Sequence, residues 1–299
     1  FTNIHYFAAA ATMYGTLAEG GYEYEGKSYD AKFDHVADFS TCNECHSPHT
    51  LQLQTEACAE CHTQSDPKDI RMAGSLVDYD GDGDMEEGIY YEIEGYQEML
   101  LTAIQSYGEE VAGTAIVYDP ASYPYFFVDA NGDGQKDEGD TDRYASWTGR
   151  LAKAAYNYQT SIKDPGAYAH GGKYIIELLY DSIENLNEAI SEPVDLSNAH
   201  RIDHGHFAGS EEAFRHWDED GAVPAGCATC HSADGLPFLI EHGVQIEQPL
   251  SNGFTCETCH SDVATFAVHQ REEVEFPSGA VVSADDPNVN LCLTCHQGR

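Results

Sequence analysis

Between residues 174 and 190 the apolar side chains Ile175, Ile176, Leu179, Ile183, Leu186 and Ile190 recur three and four positions apart, forming one stripe down a helix. This period predicts a helix over Tyr174–Ile190 that packs its stripe into a core, and a second helix is expected over Leu151–Lys163. A third is expected to start near Ser210, with Glu211 and Glu212 in its first turn, and to stop at Gly221. The Ala-rich stretch Tyr6–Ala18 also reads as helical, after Asn3 as a candidate N-cap. It is short and interrupted by Thr12 and Gly15. No run of about 18 apolar residues occurs, so no membrane span is expected. Gly, Pro and Tyr are frequent elsewhere and long periodic segments few. The expected architecture is therefore mainly α, with much irregular loop and little β.

Charge narrows the classes. The 299 residues carry 52 Asp+Glu against 14 Lys+Arg, a formal net charge of -38. Nucleic-acid binding depends on Lys and Arg neutralising phosphates, so no nucleic-acid partner is expected. Anionic lipid surfaces are disfavoured for the same reason. With 41% hydrophobic residues and 19 Tyr, the chain is not a disordered acidic tail. The first residues lack the basic start and cleavage site of a signal peptide, and Phe1 stands where Met would. A processed chain whose export signal is already gone is the expectation.

All ten Cys fall in one pattern, Cys-x-x-Cys-His, repeated five times. The copies are Cys42/Cys45/His46, Cys58/Cys61/His62, Cys227/Cys230/His231, Cys256/Cys259/His260 and Cys292/Cys295/His296. This is the attachment motif of c-type haem. Two thiols three positions apart on a helical turn form thioethers to the two vinyl groups of one porphyrin, and the adjacent His ligates the iron. Zinc ribbons need an even number of Cys pairs and no following His. A disulfide framework suits a much smaller secreted domain, and a thioredoxin-type motif occurs once, beside a βαβ unit not found here. Five covalently bound haem c are expected. As large apolar plates, they would serve as core where little regular structure exists. Haem attachment of this type occurs outside the cytoplasm, so an exported protein follows.

The remaining His outnumber the five vacant axial positions, whereas Met occurs only at Met13, Met72, Met85 and Met99. Bis-His coordination is the economical expectation, and it favours low potentials. The distal candidates are His5, His35, His49, His206, His216, His242 and His269, with one of His206 and His216 expected to serve. His49 is too near His46 to reach the opposite face of the same porphyrin and would serve a neighbour. His170, His200 and His204 stand behind these.

Three segments follow from the motif positions: an N-terminal dihaem segment (1–65), a haem-free acidic helical segment (66–199) and a C-terminal trihaem segment (200–299). The middle one holds two calcium-type loops. Asp129, Asn131, Asp133, Asp137 and Asp140 occupy positions 1, 3, 5, 9 and 12, with Gly134 at 6 and the Gln135 carbonyl at 7. In the other loop Asp78, Asp80, Asp82, Gly83, Asp84 and Glu86 fill positions 1, 3, 5, 6, 7 and 9. Ile89 stands at 12, so a further carboxylate must come from elsewhere. One or two Ca²⁺ are expected, as structural clips.

With these motifs the chain resembles the multihaem c-type cytochromes of extracellular electron transfer, which include filament-forming cytochrome nanowires. Asn3-Ile-His5-Tyr6, Cys42–His49 with its Ser-Pro-His tail, Ala213–Asp218 and Cys295-His296-Gln-Gly-Arg299 carry the likeness. The resemblance implies an extracellular or cell-surface location (the periplasm being the alternative) and a polypeptide continuing past Arg299. Its partners would be redox-partner cytochromes, extracellular acceptors and other copies of itself. His5 near the start and the fifth motif near Arg299 would let haems continue across a homopolymer, against the repulsion of -38 charges. Two classes stay open. One is a non-enzymatic conductor with six-coordinate, closely stacked haems. The other is a nitrite- or hydroxylamine-type reductase with one open iron, for which no Cys-x-x-Cys-Lys variant is present. Intact mass after denaturation should exceed the bare polypeptide by five haem masses, and an excess of three or fewer would refute the count.

Overall fold

The computed structural model describes residues 8–33, 35, 39, 41–59, 61–71, 75, 77–203, 221–251, 253–286 and 288–297. The chain forms two compact units, Phe1–Arg71 with Asp78–Ile202, and Met72–Val77 with Asp203–Arg299. Described residues are mostly helix and loop, with four two-stranded antiparallel sheets. None of the helices among them is long and apolar enough to cross a membrane.

Three long helices build the core of the first unit. Helix α6 (Ala167–Asn187) buries Ile175, Ile176, Leu179, Ile183 and Leu186, the stripe expected from the sequence. It starts seven residues earlier than the period indicated and ends before Ile190, which is buried beyond the helix end. Helix α5 (Gly149–Lys163) covers the expected Leu151–Lys163 and packs Leu151, Ala154, Ala155 and Tyr158 inward; the Thr148 hydroxyl caps it by accepting from Leu151 N at 3.1 Å. Against both lies α4 (Ile89–Glu110), which was not expected. Its buried face, Ile93, Tyr96, Leu100, Ile104 and Tyr107, keeps helical spacing, but two of the five are Tyr, whose hydroxyls blur the apolar period. Each fully buried Leu or Ile here contributes roughly 1.5–3 kcal/mol. The hairpin of β1 (Ile116–Tyr118) and β2 (Phe126–Val128) pairs Val117 with Phe127 and buries Phe126 beside Tyr158 and Trp147.

The helices hold the N-terminal chain. Helix α1 (Ala9–Tyr14), shorter than the expected Tyr6–Ala18, packs on α6 where that helix kinks at Gly171. A methyl group at Gly171 would meet the Thr12 carbonyl oxygen at 2.5 Å, so glycine permits the approach. Further on, the chain is stapled to α6 by charge. Arg201 grips Asp181 with two 2.9 Å bonds and lies 3.6 Å from Glu177, while its Nη2 donates to the Ser28 carbonyl at 2.6 Å. Tyr29 OH donates to Asp181 at 2.6 Å, and Asp30 N donates to Glu177 at 2.8 Å. Burial pushes the Glu177 carboxyl up to about 7, against the pull of the Asp30 N–H and Arg201.

The second unit is thin. Helices α7 (Ala225–His231), α8 (Gly235–His242), α9 (Cys256–Cys259) and α10 (Val289–Cys295) alternate with two-residue strands and turns. Among its described residues the buried apolar side chains are Val223, Ala228, Ala233, Leu236, Val274 and Leu291. Polar groups do much of the joining. Asn290 Nδ2 donates to the Arg271 and Glu272 carbonyls, and Thr258 Oγ1 donates to Ala233 O at 2.7 Å. The helix expected from Ser210 to Gly221 lies outside the described residues.

Arg201→Met removes the guanidinium that bonds Asp181 twice and lies 3.6 Å from Glu177, leaving these buried carboxylates with Lys27 at 3.5 Å from Asp181. The first unit should lose about 3 kcal/mol at neutral pH, read by denaturant unfolding of its helical signal. Because the folded-state value of Glu177 is raised, the folded form takes up a proton as pH falls through about 7, ahead of the unfolded chain. The loss should therefore shrink toward pH of about 5. A loss below about 1 kcal/mol, or one that grows on acidification, would contradict the staple.

Candidate functional site

Four of the Cys-x-x-Cys-His runs lie on the short helices α2 (Cys42–Cys45), α7, α9 and α10, and the second starts at the end of α3 (Thr55–Cys58). In the first, second and fifth copies the His N–H donates to the carbonyl of the leading Cys four residues back, at 2.8 Å for His46, 2.9 Å for His62 and 3.0 Å for His296. His260 N–H makes the same bond to Cys256 O. Capping boxes start two of these turns. Thr41 N donates to Glu44 at 2.6 Å ahead of α2 (Cys42–Cys45), and Thr255 N donates to Thr258 at 3.0 Å ahead of α9. A turn of this kind presents residues three apart on one face. Each of the ten thiols is exposed or half-buried.

The histidines of two motifs are oriented. His46 Nδ1 lies 3.4 Å from Leu51 O and His260 Nδ1 lies 3.0 Å from Phe266 O. A carbonyl on Nδ1 keeps the proton there and leaves Nε2 as the metal-binding nitrogen. Exposed paired thiols and an imidazole with a free Nε2 are the donor set that haem c requires.

Motifs are also brought together within each unit. The Cys45 thiol is pushed up by burial and next by Cys58 of the following motif. In the second unit Cys259 is pushed up by burial and next by Cys292. Cys295 is raised mainly by its hydrogen bond with Cys230 and then by burial; its Sγ also lies 3.6 Å from Thr229 O. The fifth motif therefore sits against both the third and the fourth.

Of the distal candidates, His35 stands across from His62. Burial and the neighbouring His62 hold it below the usual imidazole value. His49 is exposed on a turn. His242 packs on Phe238, ring centres 4.3 Å apart, and His269 points Nε2 at Glu257 O, 3.0 Å away. His5, His206 and His216 lie outside the described residues. His170, ranked behind these candidates, lies beside His46.

The two acidic loops fold alike, position for position. Asp78 accepts from Gly81 N and Gly83 N at 2.7 Å each, as Asp129 does from Gly132 N and Gly134 N. Asp80 and Asn131 each accept from the residue two further on at 3.1 Å, and Asp82 and Asp133 accept from Asp84 N and Gln135 N. Gly83 and Gly134 both have positive φ, 101° and 76°, the backbone that position 6 of such a loop demands. Carboxylate convergence separates them. Oxygens of Asp78, Asp80 and Glu92 lie within 4.8 Å of one another, as do those of Asp80, Asp82 and Glu87. Glu92, on α4, was not anticipated; it supplies the carboxylate that Ile89 at position 12 does not. It is held by Arg71 and by Asp80 N at 3.0 Å. Gly95 makes the room, since a methyl there would fall 1.6 Å from Asp80 Oδ2. Burial, and then the charges of Asp82, Glu92 and Asp78, push the Asp80 carboxyl up to about 7 against the Asp82 N–H. Asp84 and Glu86 close the loop's outer edge, where Asp84 accepts from Glu86 N at 2.9 Å. In the other loop Asp129, Asp133, Asp137 and Asp140 form no such group. There Asn131 Nδ2 donates to Asp133 and Asp137 at 3.0 Å each, and Asp140 accepts from Ala130 N and Asp137 N.

No family model matches the chain, and no solved structure matches it. It is 28% identical over 229 residues to the C-type polyheme cytochrome OmcC of Geobacter sulfurreducens, covering 64% of this chain and 27% of that protein. It is 26% identical over 213 residues to the C-type polyheme cytochrome OmcB of the same species, covering 64% of this chain and 28% of that protein. The chain thus spans about a quarter of the length of the curated relatives it matches. This distant homology supports a multihaem c-type cytochrome carrying covalently bound haem.

Proposed function

We propose that this chain is an exported electron carrier with five haem c groups, attached at the five Cys-x-x-Cys-His turns and ligated by His on both sides. The observation that carries it is the repetition of the Cys-x-x-Cys-His run, with two exposed or half-buried thiols and a following His, five times in 299 residues. Haem iron supplies one-electron chemistry when bound. The chain's own part is to space, orient and charge those centres. Adjacency of motif one to motif two, and of motif five to motifs three and four, favours short steps between neighbouring haems within each unit. Nothing in such a role calls for a substrate pocket, and the names of the relatives are those of cytochromes.

Calcium belongs to the same reading. The Asp78 loop, completed by Glu87 and Glu92, is the better-formed site, and the Asp129 loop shares its backbone pattern. A divalent cation would offset carboxylates crowded within 4.8 Å. We further propose an extracellular or cell-surface location and assembly into a homopolymer. The support is the resemblance to filament-forming cytochromes and the need for haem attachment outside the cytoplasm.

Asp80 is common to both carboxylate groups, so Asp80→Ala should release one equivalent of calcium, measured by metal analysis after dialysis. Unchanged calcium content would leave the loop an acidic turn. Electron microscopy of the native protein should reveal filaments. Discrete single-chain particles across a range of concentrations would favour a soluble periplasmic shuttle.

A further inference from the structure

We infer that His170 is the second axial ligand of the haem on Cys42 and Cys45, opposite His46, and that His35 is that of the haem on Cys58 and Cys61, opposite His62. The inference rests on the haem attachment proposed above. Its basis is the spacing of two imidazole pairs in the first unit. Ring centres of His46 and His170 are 6.3 Å apart, and those of His35 and His62 are 6.0 Å apart. Imidazole nitrogen binds a first-row metal at about 2 Å. With the ring centre roughly 1 Å behind that nitrogen, two imidazoles on one iron hold their centres about 6 Å apart. Both pairs have this gap.

Ordinary ring packing would account for such distances if burial were gained. Here it is not, because His35 is exposed and His46, His62 and His170 are only half-buried. In addition, the surroundings prepare His170 for a metal. Asp164 is buried and takes the Nδ1 proton at 2.9 Å, which fixes the tautomer and leaves Nε2 for the iron. Gly166 clears the space, since a methyl at that position would meet His170 Cε1 at 2.6 Å. The kink at Gly171 follows directly on His170, so the helix does not continue its regular course there.

The consequence reaches beyond ligation. His170 lies on α6, within the stretch of sequence that bears no haem motif. That helix would therefore be a clamp on the dihaem segment and not a spacer between haem groups. Asp164 acts as a positioning residue, through His170.

The test uses the haem-loaded protein, with intact mass to count haems and electron paramagnetic resonance to count spin states. His170→Ala should keep five haems by mass and turn one iron in five high-spin. His35→Ala should do the same, the double variant should convert two, and His49→Ala should convert none. His170→Met restores a sixth ligand, so it should keep every iron low-spin and raise one reduction potential. Asp164→Asn should raise that same potential with the iron still low-spin. Five haems with spin states and potentials unchanged in the His170 variants would overturn the assignment while leaving attachment intact. Absence of covalent haem from the unaltered protein would overturn both.

Discussion

Shortage of buried apolar side chains among the described residues of the cysteine-bearing 221–297 region is the constraint on which the rest depends. Its described residues bury Val223, Ala228, Ala233, Leu236, Val274 and Leu291, several of them small. Such a set yields little hydrophobic stabilisation against the conformational entropy of ordering so long a chain. Polar clasps such as Asn290 to the 271 and 272 carbonyls hold turns in place but do not replace a core. Three porphyrins on neighbouring turns would supply the missing apolar interior. In that arrangement the cofactor is structural as well as functional, and the irons come close together as a by-product of packing.

The first unit solves the problem differently. Helices α4, α5 and α6 bury Leu100, Ile104, Leu151, Ile176 and Leu179 completely, so this region has a core of its own. Its Cys-x-x-Cys-His runs lie on separate short elements, and charge positions the nearby chain. Three of its few cations sit where carboxylates are crowded. Arg201 serves Asp181 and Glu177, Arg71 serves Glu92, and Lys27 reaches Glu184 and Asp181. The Asp78 loop crowds carboxylates beyond the reach of Arg71 alone, and the calcium proposed there would complete that account.

Much of this was legible in the sequence, for identifiable reasons. Covalent chemistry needs adjacent residues, so the five Cys-x-x-Cys-His runs proposed for attachment are local and visible as a string. The α6 stripe is aliphatic and keeps a clean period, whereas α4 hides its face behind Tyr96 and Tyr107, which are polar by composition and buried in fact. Glu92 escaped a reading by loop position because it comes from the next helix, brought to Asp80 by Gly95. His170, ranked behind the distal candidates, was passed over for the same kind of reason: its approach to His46 is tertiary, and distance along the chain from a motif carries no information about it.

Hydrogen exchange of the native protein against a variant with all ten Cys replaced by Ala tests most directly whether haem supplies the second unit's core. Amides of α4, α5 and α6 should stay protected in both forms, while those of residues 225–296 should be protected only when haem is attached. Equal protection of 225–296 in the two forms would contradict the account, since that unit would then hold itself together without its cofactor.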